Sequence, residues 1–427
     1  MMKQFFFPVL TAIFFLSCSK KDNNPSGGTV ASLATLTTTA ASSLTSSSLS
    51  SGGIISADGG ATIIARGVCW STSINPVITG NHTTDGAGLG TFTSAISNLS
   101  SGSTYYIRSY ATNSAGTAYG NEITVTTLSP DVYIAGMETI GSNFVARSWK
   151  NTTMTSLTNN KSEALSVFVS GTDVYTVGYE TTPTVTAARL WKNGVGTTLS
   201  GAGSFAWSVF VSGTDVYVGG HDRDGSGNTV PEIWKNGVGT SLSPGSQDAD
   251  VNSVFVSGTD VYAAGFDQPA GISISKLWKN GVATLLTSGV NSSKAWGVYV
   301  SGSDVYVAMS EDIGSTTIGK IWKNGVITNL GGTSNTIVPY SIFVSGTDVY
   351  AAGYLSTSGG AVATVWKNGV PTSLGTGATS SFAYSVYVLG QDVYVAGTEG
   401  GSAKYWKNGV ATSLSTTNAV AAGIFVK

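Results

Sequence analysis

The sequence has little charge, cysteine or histidine, and each shortage narrows the classes of function. Only 10% of the 427 residues are charged and the formal net charge is −2. The composition therefore offers no basic surface for nucleic acid and no long charged tail. The two histidines and two cysteines form no Cys–His pair or histidine cluster, and no nucleophile motif is present. We expect a protein that is not an enzyme and does not bind nucleic acid.

Helical spacing of apolar residues is also missing beyond the N-terminus. Glycine, serine, threonine, valine and aromatic residues dominate instead, in short alternating runs separated by turn residues. Such runs are typical of strands, so the sequence predicts an all-β protein.

The N-terminus, residues 1–18, has the pattern of an export signal. Lys3 supplies a positive charge, and Phe5 to Leu16 form an apolar run that is short for a transmembrane helix. The sequence F-L-S-C-S-K-K-D resembles a bacterial lipobox, with Phe15 in place of the usual leucine. The resemblance implies cleavage before Cys18 and acylation of Cys18, which would anchor the chain to a membrane. An ordinary secretory signal is the alternative.

The charged residues after Cys18 resemble the signal that sends Bacteroidetes-type lipoproteins to the cell surface. The resemblance implies an outer-membrane lipoprotein that is exposed at the cell surface or faces the periplasm. Residues 19–29 then form a flexible tether. With Cys18 acylated, Cys69 has no disulfide partner, and we expect it to be a small buried hydrophobic residue.

Residues 30–127 are predicted to form a sandwich of about seven short strands. The sequence L-S-S-G-S-T-Y-Y-I-R-S-Y-A-T-N-S-A-G, from Leu99 to Gly116, resembles the end of a fibronectin type III domain, with Tyr105 in the tyrosine-corner position. The resemblance implies a fibronectin III-like module that acts mainly as a spacer.

Residues 128–427 repeat one pattern seven times: D-V-Y, a variable insert, and then W-K-N-G or a close variant. The D-V-Y triplets start at Asp131, Asp173, Asp215, Asp260, Asp304, Asp348 and Asp392. The tryptophans are Trp149, Trp191, Trp234, Trp278, Trp322, Trp366 and Trp406, with spacings of 40 to 44 residues. This period, with four short strands (a to d) in each repeat, predicts a β-propeller whose tryptophans pack between blades.

The two ends of the repeat region predict how the propeller closes. The first repeat begins at strand b, at Asp131, and Ala421 to Lys427 form a strand a with nothing after it. If the C-terminal strand completes the first blade, the result is a seven-bladed β-propeller with no open sheet edge between blades.

The loops of the repeats differ in how much they vary. The a–b turns (mostly S-G-T-D) and the c–d turns (mostly Asn-Gly, which suits a two-residue hairpin) are nearly constant, and we call their side of the propeller the uniform face. The b–c and d–a loops vary greatly and define the variable face. Specific recognition is expected on the variable face.

An acid ends strand b in six repeats, and a base stands two residues before the tryptophan in five of those six. The acids are Glu138, Glu180, Asp222, Asp267, Glu311 and Glu399. The bases are Arg147, Arg189, Lys276, Lys320 and Lys404. In the sixth repeat both charges are lost, to Leu355 and Thr364. The joint loss predicts structural ion pairs, worth about 0.2–1 kcal/mol each if exposed.

The third repeat departs from this pattern because its acid faces a second acid. The sequence H-D-R-D-G-S-G-N, residues 221–228, resembles the first half of a calcium loop, with oxygen ligands at alternate positions. The candidate ligands are Asp222, Asp224, Ser226 and Glu232. A charged loop neutralised by Arg223 is the alternative, and no other cofactor is predicted.

The residue before strand a is aromatic in four repeats. The seven residues are Leu165, Trp207, Asn252, Trp296, Tyr340, Tyr384 and Ala422. We predict that Trp207, Trp296, Tyr340 and Tyr384 cluster at the mouth of the central channel, where aromatic rings stack on sugars. Packing against the next blade is the alternative.

Together these features predict a monomeric, non-catalytic surface lipoprotein for binding or adhesion, whose propeller recognises a glycan or a protein. A carbohydrate-active or other hydrolytic enzyme at the propeller mouth and a passive scaffold for surface proteins are the alternatives.

Overall fold

The computed structural model describes residues 30–245, 248–269, 271–332 and 335–427, and these residues form an all-β protein. The predicted fold class is therefore confirmed at this level. The predicted signal sequence, Cys18 and the tether lie outside the described residues. Within the described ranges, no helix has the length and apolar character needed to cross a membrane.

Eight strands lie within residues 30–127, and they form two sheets with orders β1-β2-β5 and β4-β3-β6-β7, with β8 also paired to β6. The strands are β1 (Thr35–Ser42), β2 (Leu49–Ala57), β3 (Ala65–Ser71), β4 (Asn81–His82), β5 (Gly90–Ile96), β6 (Thr104–Asn113), β7 (Gly116–Tyr119) and β8 (Ile123–Thr126). Contacts divide the described chain into two compact units, one of residues 30–40, 51–94 and 106–123 and the other of residues 41–50, 95–105 and 124–427.

Cys69 is the small buried residue that the sequence predicts. Its thiol is free and fully buried, and its Sγ donates to the carbonyl oxygen of Pro76 at 3.3 Å. Burial raises the pKa of the Cys69 thiol to about 11. The thiol is therefore neutral and unreactive at physiological pH.

Five separate four-stranded sheets follow one another along the repeats, each in simple sequential order. They are β12 (Lys161–Ser170), β13 (Asp173–Thr181), β14 (Thr186–Lys192), β15 (Val195–Thr198); β16 (Phe205–Ser212), β17 (Asp215–Arg223), β18 (Thr229–Lys235), β19 (Val238–Ser241); β20 (Ala249–Ser257), β21 (Asp260–Asp267), β22 (Ile274–Lys279), β23 (Val282–Leu285); β24 (Ser293–Ser301), β25 (Asp304–Ile313), β26 (Thr316–Lys323), β27 (Val326–Asn329); and β28 (Ile337–Ser345), β29 (Asp348–Thr357), β30 (Gly360–Lys367), β31 (Val370–Ser373).

The two ends of the repeat region share one seven-stranded sheet, in the order β11-β10-β9-β35-β34-β33-β32. Its strands are β9 (Val132–Ile140), β10 (Asn143–Lys150), β11 (Thr153–Ser156), β32 (Ser381–Leu389), β33 (Asp392–Glu399), β34 (Ser402–Lys407) and β35 (Val410–Val426). The first part of β35 pairs with β34, and its last part pairs with β9, from Ala419 opposite Glu138 to Val426 opposite Val132. The C-terminal strand thus supplies strand a of the first repeat, and we call strand a of each repeat its inner strand.

The tryptophans of the repeats pack between neighbouring sheets. Trp234, for example, lies in one cluster with Tyr175 and Ala188 of the preceding sheet and Val209 of its own sheet. Six of the seven are almost fully buried, and Trp322 is partly buried. Burying a ring of ~150–250 Å² at ~25 cal/mol/Å² stabilises the fold by roughly 4–6 kcal/mol before entropy is counted.

The uniform face is built from one repeated set of contacts around the c–d turn. The turn asparagine has a positive φ in all seven repeats, for example 51° at Asn193, as a two-residue hairpin requires. The Asn193 side chain accepts from the Val174 amide and donates to Asp173, and Lys192 pairs with Asp173 at 2.7 Å. The equivalent Asp–Lys pair occurs in every repeat. These recurrent residues therefore hold the turns of the uniform face.

Every inner strand carries a β-bulge at the same place. The pairing with strand b skips one residue in each repeat, and the skipped residues are Leu165, Trp207, Asn252, Trp296, Tyr340, Tyr384 and Ala422. A glycine on strand b lies close to the bulge in most repeats: a Cβ at Gly265 would lie 1.9 Å from the carbonyl oxygen of Asp250. A bulge re-aims the side chain of its extra residue.

Seven aromatic rings, one from each inner strand, form a closed circle that we call the collar. Its members are Phe168, Phe210, Phe255, Tyr299, Phe343, Tyr387 and Phe425. Neighbouring ring centroids are 4.7 to 5.0 Å apart, and the contact of Phe425 with Phe168 completes the circle. Equal spacing around the circle means that the C-terminal strand packs as closely as the internal ones.

Candidate functional site: an aromatic cavity on the variable face

The seven bulge residues converge on one cavity of about 370 Å³, a volume typical of small-molecule sites. All four predicted aromatic residues, Trp207, Trp296, Tyr340 and Tyr384, line it together with Leu165, Asn252 and Ala422. The structure therefore brings together every residue of the predicted mouth.

Three of the aromatic rings form a continuous wall. Tyr340 lies 5.4 Å from Trp296 and 5.5 Å from Tyr384, measured between ring centroids. The hydrogen-bonding group of Trp296 is held by its own sheet, since its indole nitrogen donates to the Ser310 hydroxyl at 2.9 Å. Burial raises the pKa values of the Tyr340 and Tyr384 hydroxyls, so both stay neutral. The wall therefore presents neutral ring surfaces to the cavity.

A second tier of residues, which we call the rim, stands two positions before each bulge residue. Its members are Glu163, Phe205, Asp250, Lys294, Val338, Phe382 and Val420. Glu163, Asp250, Lys294 and Val420 line the cavity, and Phe205 and Phe382 stack on the neighbouring bulge residues Trp207 and Tyr384. Sequence reasoning missed the rim, although alternation along a strand places residues i and i−2 on one face.

Asp250 is held in place by two side chains of the preceding sheet. The indole nitrogen of Trp207 donates to Asp250 Oδ1 at 2.6 Å, and His221 Nδ1 contacts the same oxygen. Both His221 and Asp250 are almost fully buried, and among the described residues His221 Nε2 has no hydrogen-bond partner. This Trp–Asp–His group fixes the orientation of the Trp207 ring at the edge of the cavity.

The rim contains a base, Lys294, and an acid, Glu163, and the two do not form an ion pair with each other. Lys294 Nζ pairs with Asp248 at 3.1 Å and lies 3.9 Å from the centroid of the Phe266 ring. Glu163 has no ion-pair partner among the residues that the structure describes. Burial and then a hydrogen bond to Glu163 raise the pKa of the Tyr179 hydroxyl, and Glu163 also contributes to the raised pKa of Tyr384. The Glu163 carboxylate therefore lies near two tyrosines and, among the described residues, is not paired with a base.

The five predicted cross-strand ion pairs are present. They are Arg147–Glu138, Arg189–Glu180, Lys276–Asp267, Lys320–Glu311 and Lys404–Glu399. They are more buried than expected, since the Arg147 side chain is only 6% exposed. The acids also hold the d–a loops: Glu180 accepts from Thr158 and Asn160, and Glu399 accepts from the Thr376 amide at 2.7 Å. Their carboxylates are therefore occupied by the scaffold.

In the third repeat, each candidate calcium ligand that carries a carboxylate has other partners. Asp224 accepts from the amides of Ser226 and Asn228 at 2.8 and 2.9 Å, Asp222 accepts from the Ser200 hydroxyl, and Glu232 accepts from the Ser241 hydroxyl at 2.8 Å. Across the ranges described, no three His, Cys, Asp or Glu side chains are grouped as a metal site. The structure thus does not bring Asp222, Asp224 and Glu232 together as ligands.

Glu232 is instead a buried acid, and none of the bases that the structure describes forms an ion pair with it. Burial, followed by the nearby charge of Asp222, raises the pKa of its carboxyl group. The five paired repeats have arginine or lysine at this position, so the like charge is specific to the third repeat.

Comparison with known proteins gives no family. No family model matches the chain, and no curated protein matches it. Among solved structures, TolB from Acinetobacter baumannii is 11% identical with a TM-score of 0.42, over 63% of this chain and 76% of that one. A DUF4784 family protein from Bacteroides caccae is 10% identical with a TM-score of 0.29, over 92% of this chain and 98% of that one.

Proposed function

We propose that the chain is a cell-surface-anchored binding or adhesion lipoprotein that is not a catalyst, and that its repeats recognise a ligand in the aromatic cavity. One observation carries the proposal: seven equivalent bulge positions converge on one cavity, yet their side chains differ from repeat to repeat. The uniform face keeps the same Asp–Lys–Asn contacts throughout. A cavity whose lining varies between repeats, on a scaffold whose opposite face is constant, favours recognition of a specific ligand.

The proposed architecture is a seven-bladed β-propeller closed by the C-terminal strand, preceded by a fibronectin III-like module. The collar of seven rings and the pairing of β35 with β9 support the propeller. For the module, the Tyr105 hydroxyl accepts from the Ser100 amide at 2.9 Å, the contact of a tyrosine corner. Lipidation at Cys18, an outer-membrane location and a monomeric state rest on the sequence alone.

A glycan is the proposed ligand, because aromatic faces with a few fixed polar groups suit sugar rings. The test is a glycan array probed with residues 19–427, the Trp207→Ala/Trp296→Ala double variant and a uniform-face control, Lys279→Ala/Lys323→Ala. We expect binding by the parent and the control and at least tenfold weaker binding by the tryptophan variant. An array without any signal, or binding that survives loss of both tryptophans, would contradict the proposal.

A second candidate is a hydrolase, which is favoured by the presence of two carboxylates, Glu163 and Asp250, in the same cavity. It predicts that a bound glycan is cleaved and that Glu163→Gln abolishes cleavage while binding persists. Release of reducing ends from a glycan identified on the array separates the two candidates.

A further inference from the structure

We infer that the group bound in the cavity is a cation, namely a protonated or quaternary ammonium at the end of the ligand. The inference rests on the proposed role of the cavity as a recognition site, and it narrows the chemistry of the ligand.

The first support is the arrangement of aromatic and acidic residues around the sevenfold circle. Trp296, Tyr340 and Tyr384 come from three successive repeats and form one wall. Glu163 comes from the second repeat, which lies opposite the fifth and sixth in a closed ring of seven. An aromatic wall that faces a carboxylate attracts an ammonium group through the ring quadrupoles and through charge.

The second support is the balance of charge at the rim. Glu163 and Asp250 line the cavity as acids, and Lys294 is the one base among the described residues that line it. Lys294 is already paired with Asp248, at 3.1 Å, so it does not neutralise Glu163. Its ammonium also lies 3.9 Å from the Phe266 ring centroid, which shows that an ammonium is accommodated against an aromatic face within this cavity.

The third support is the collar, which limits how a ligand enters. The collar residue follows the bulge residue by three positions, about 10 Å along the strand. Centroids spaced by 4.7 to 5.0 Å in a circle of seven lie about 5.5 Å from its centre, so the rings fill most of the channel. The ligand therefore enters from the variable face and presents an end group instead of passing through.

The test compares charged ligands with uncharged counterparts of similar shape, by calorimetry at pH 6. Choline is paired with its uncharged isostere 3,3-dimethylbutan-1-ol, and glucosamine is paired with glucose and N-acetylglucosamine. We expect choline and glucosamine each to bind at least tenfold more tightly than their neutral counterparts. The two pairs also distinguish a simple ammonium ligand from an amino sugar.

Glu163→Gln is the decisive variant. Its control is Asp260→Asn, which removes one carboxylate from the uniform face. Glu163→Gln should weaken choline about tenfold and leave the neutral alcohol unchanged, and Asp260→Asn should change neither. Added salt should weaken choline binding less in Glu163→Gln than in the parent.

The inference is overturned if the neutral isosteres bind as tightly as the cations, if neither cation binds, or if Glu163→Gln leaves choline affinity unchanged. A neutral glycan that binds through Trp207 and Trp296 would overturn the cation inference and leave the proposed recognition role intact. Binding of choline with an empty glycan array would support the inference and remove the glycan assignment.

Discussion

Replacing Phe425 by alanine tests whether the C-terminal strand holds the repeats together as firmly as an internal strand. Phe425 contacts Phe168 and Tyr387 at 4.9 and 5.0 Å, and Phe255 contacts its two collar neighbours at 4.7 and 4.8 Å. Truncating a buried phenylalanine costs about 3–5 kcal/mol. The collar rings are partly exposed, so we expect about 2–4 kcal/mol for either Phe425→Ala or Phe255→Ala.

The assay is urea unfolding followed by circular dichroism, with Phe144→Ala as the control. Phe144 is 42% exposed and lies outside the collar, so its loss should cost less than about 0.5 kcal/mol. Equal costs at Phe425 and Phe255 are expected from a closed circle. Closure by the C-terminal strand would be refuted if Phe425→Ala lowered the free energy of unfolding as little as Phe144→Ala does, while Phe255→Ala lowered it strongly.

Two further predictions concern the third repeat. Burial raises the pKa of Glu232 in the folded protein above its usual 4.5. Ionisation of Glu232 therefore destabilises the folded state as the pH rises. Glu232→Gln should raise the free energy of unfolding by about 1 kcal/mol at pH 7 and change it little at pH 4. Glu180→Gln, which breaks the pair with Arg189, should instead destabilise at pH 7, and the reasoning fails if the two variants behave alike. For calcium, EDTA should leave the melting temperature unchanged, because the carboxylates have other partners; a rise in the melting temperature with added calcium that Asp224→Asn abolishes would restore the calcium site.

The repeated strands and turns could be predicted because their signals are local. The Asn-Gly turns fix positive φ values, and alternation around D-V-Y sets which side chains are buried. The five ion pairs followed from the joint loss of charge at Leu355 and Thr364. The burial of these ion pairs could not be predicted, because the d–a loops that cover the acids have variable sequences.

The cavity was predicted only in part, since the bulges are invisible in the repeat spacing. The residue before the predicted strand a was identified, yet the strand begins several residues earlier, at Lys161 in β12. Those extra residues include Glu163, and with it the rim. The pairing of His221 with Asp250 joins residues that are 29 positions apart, and no local pattern signals it.

The sharing of one sheet between the first and last repeats has a consequence for how the chain folds during synthesis. Val132 pairs with Val426, about 290 residues later, and closing a loop of that length costs about 5 kcal/mol in chain entropy beyond a constant. Until that pairing forms, β9 has an open edge, which is a site for mispairing with other chains. The intermediate repeats can form by neighbour contacts as they emerge, whereas the first must wait for the last. Closure is therefore a late step, and a chaperone that shields one strand edge would protect the whole assembly.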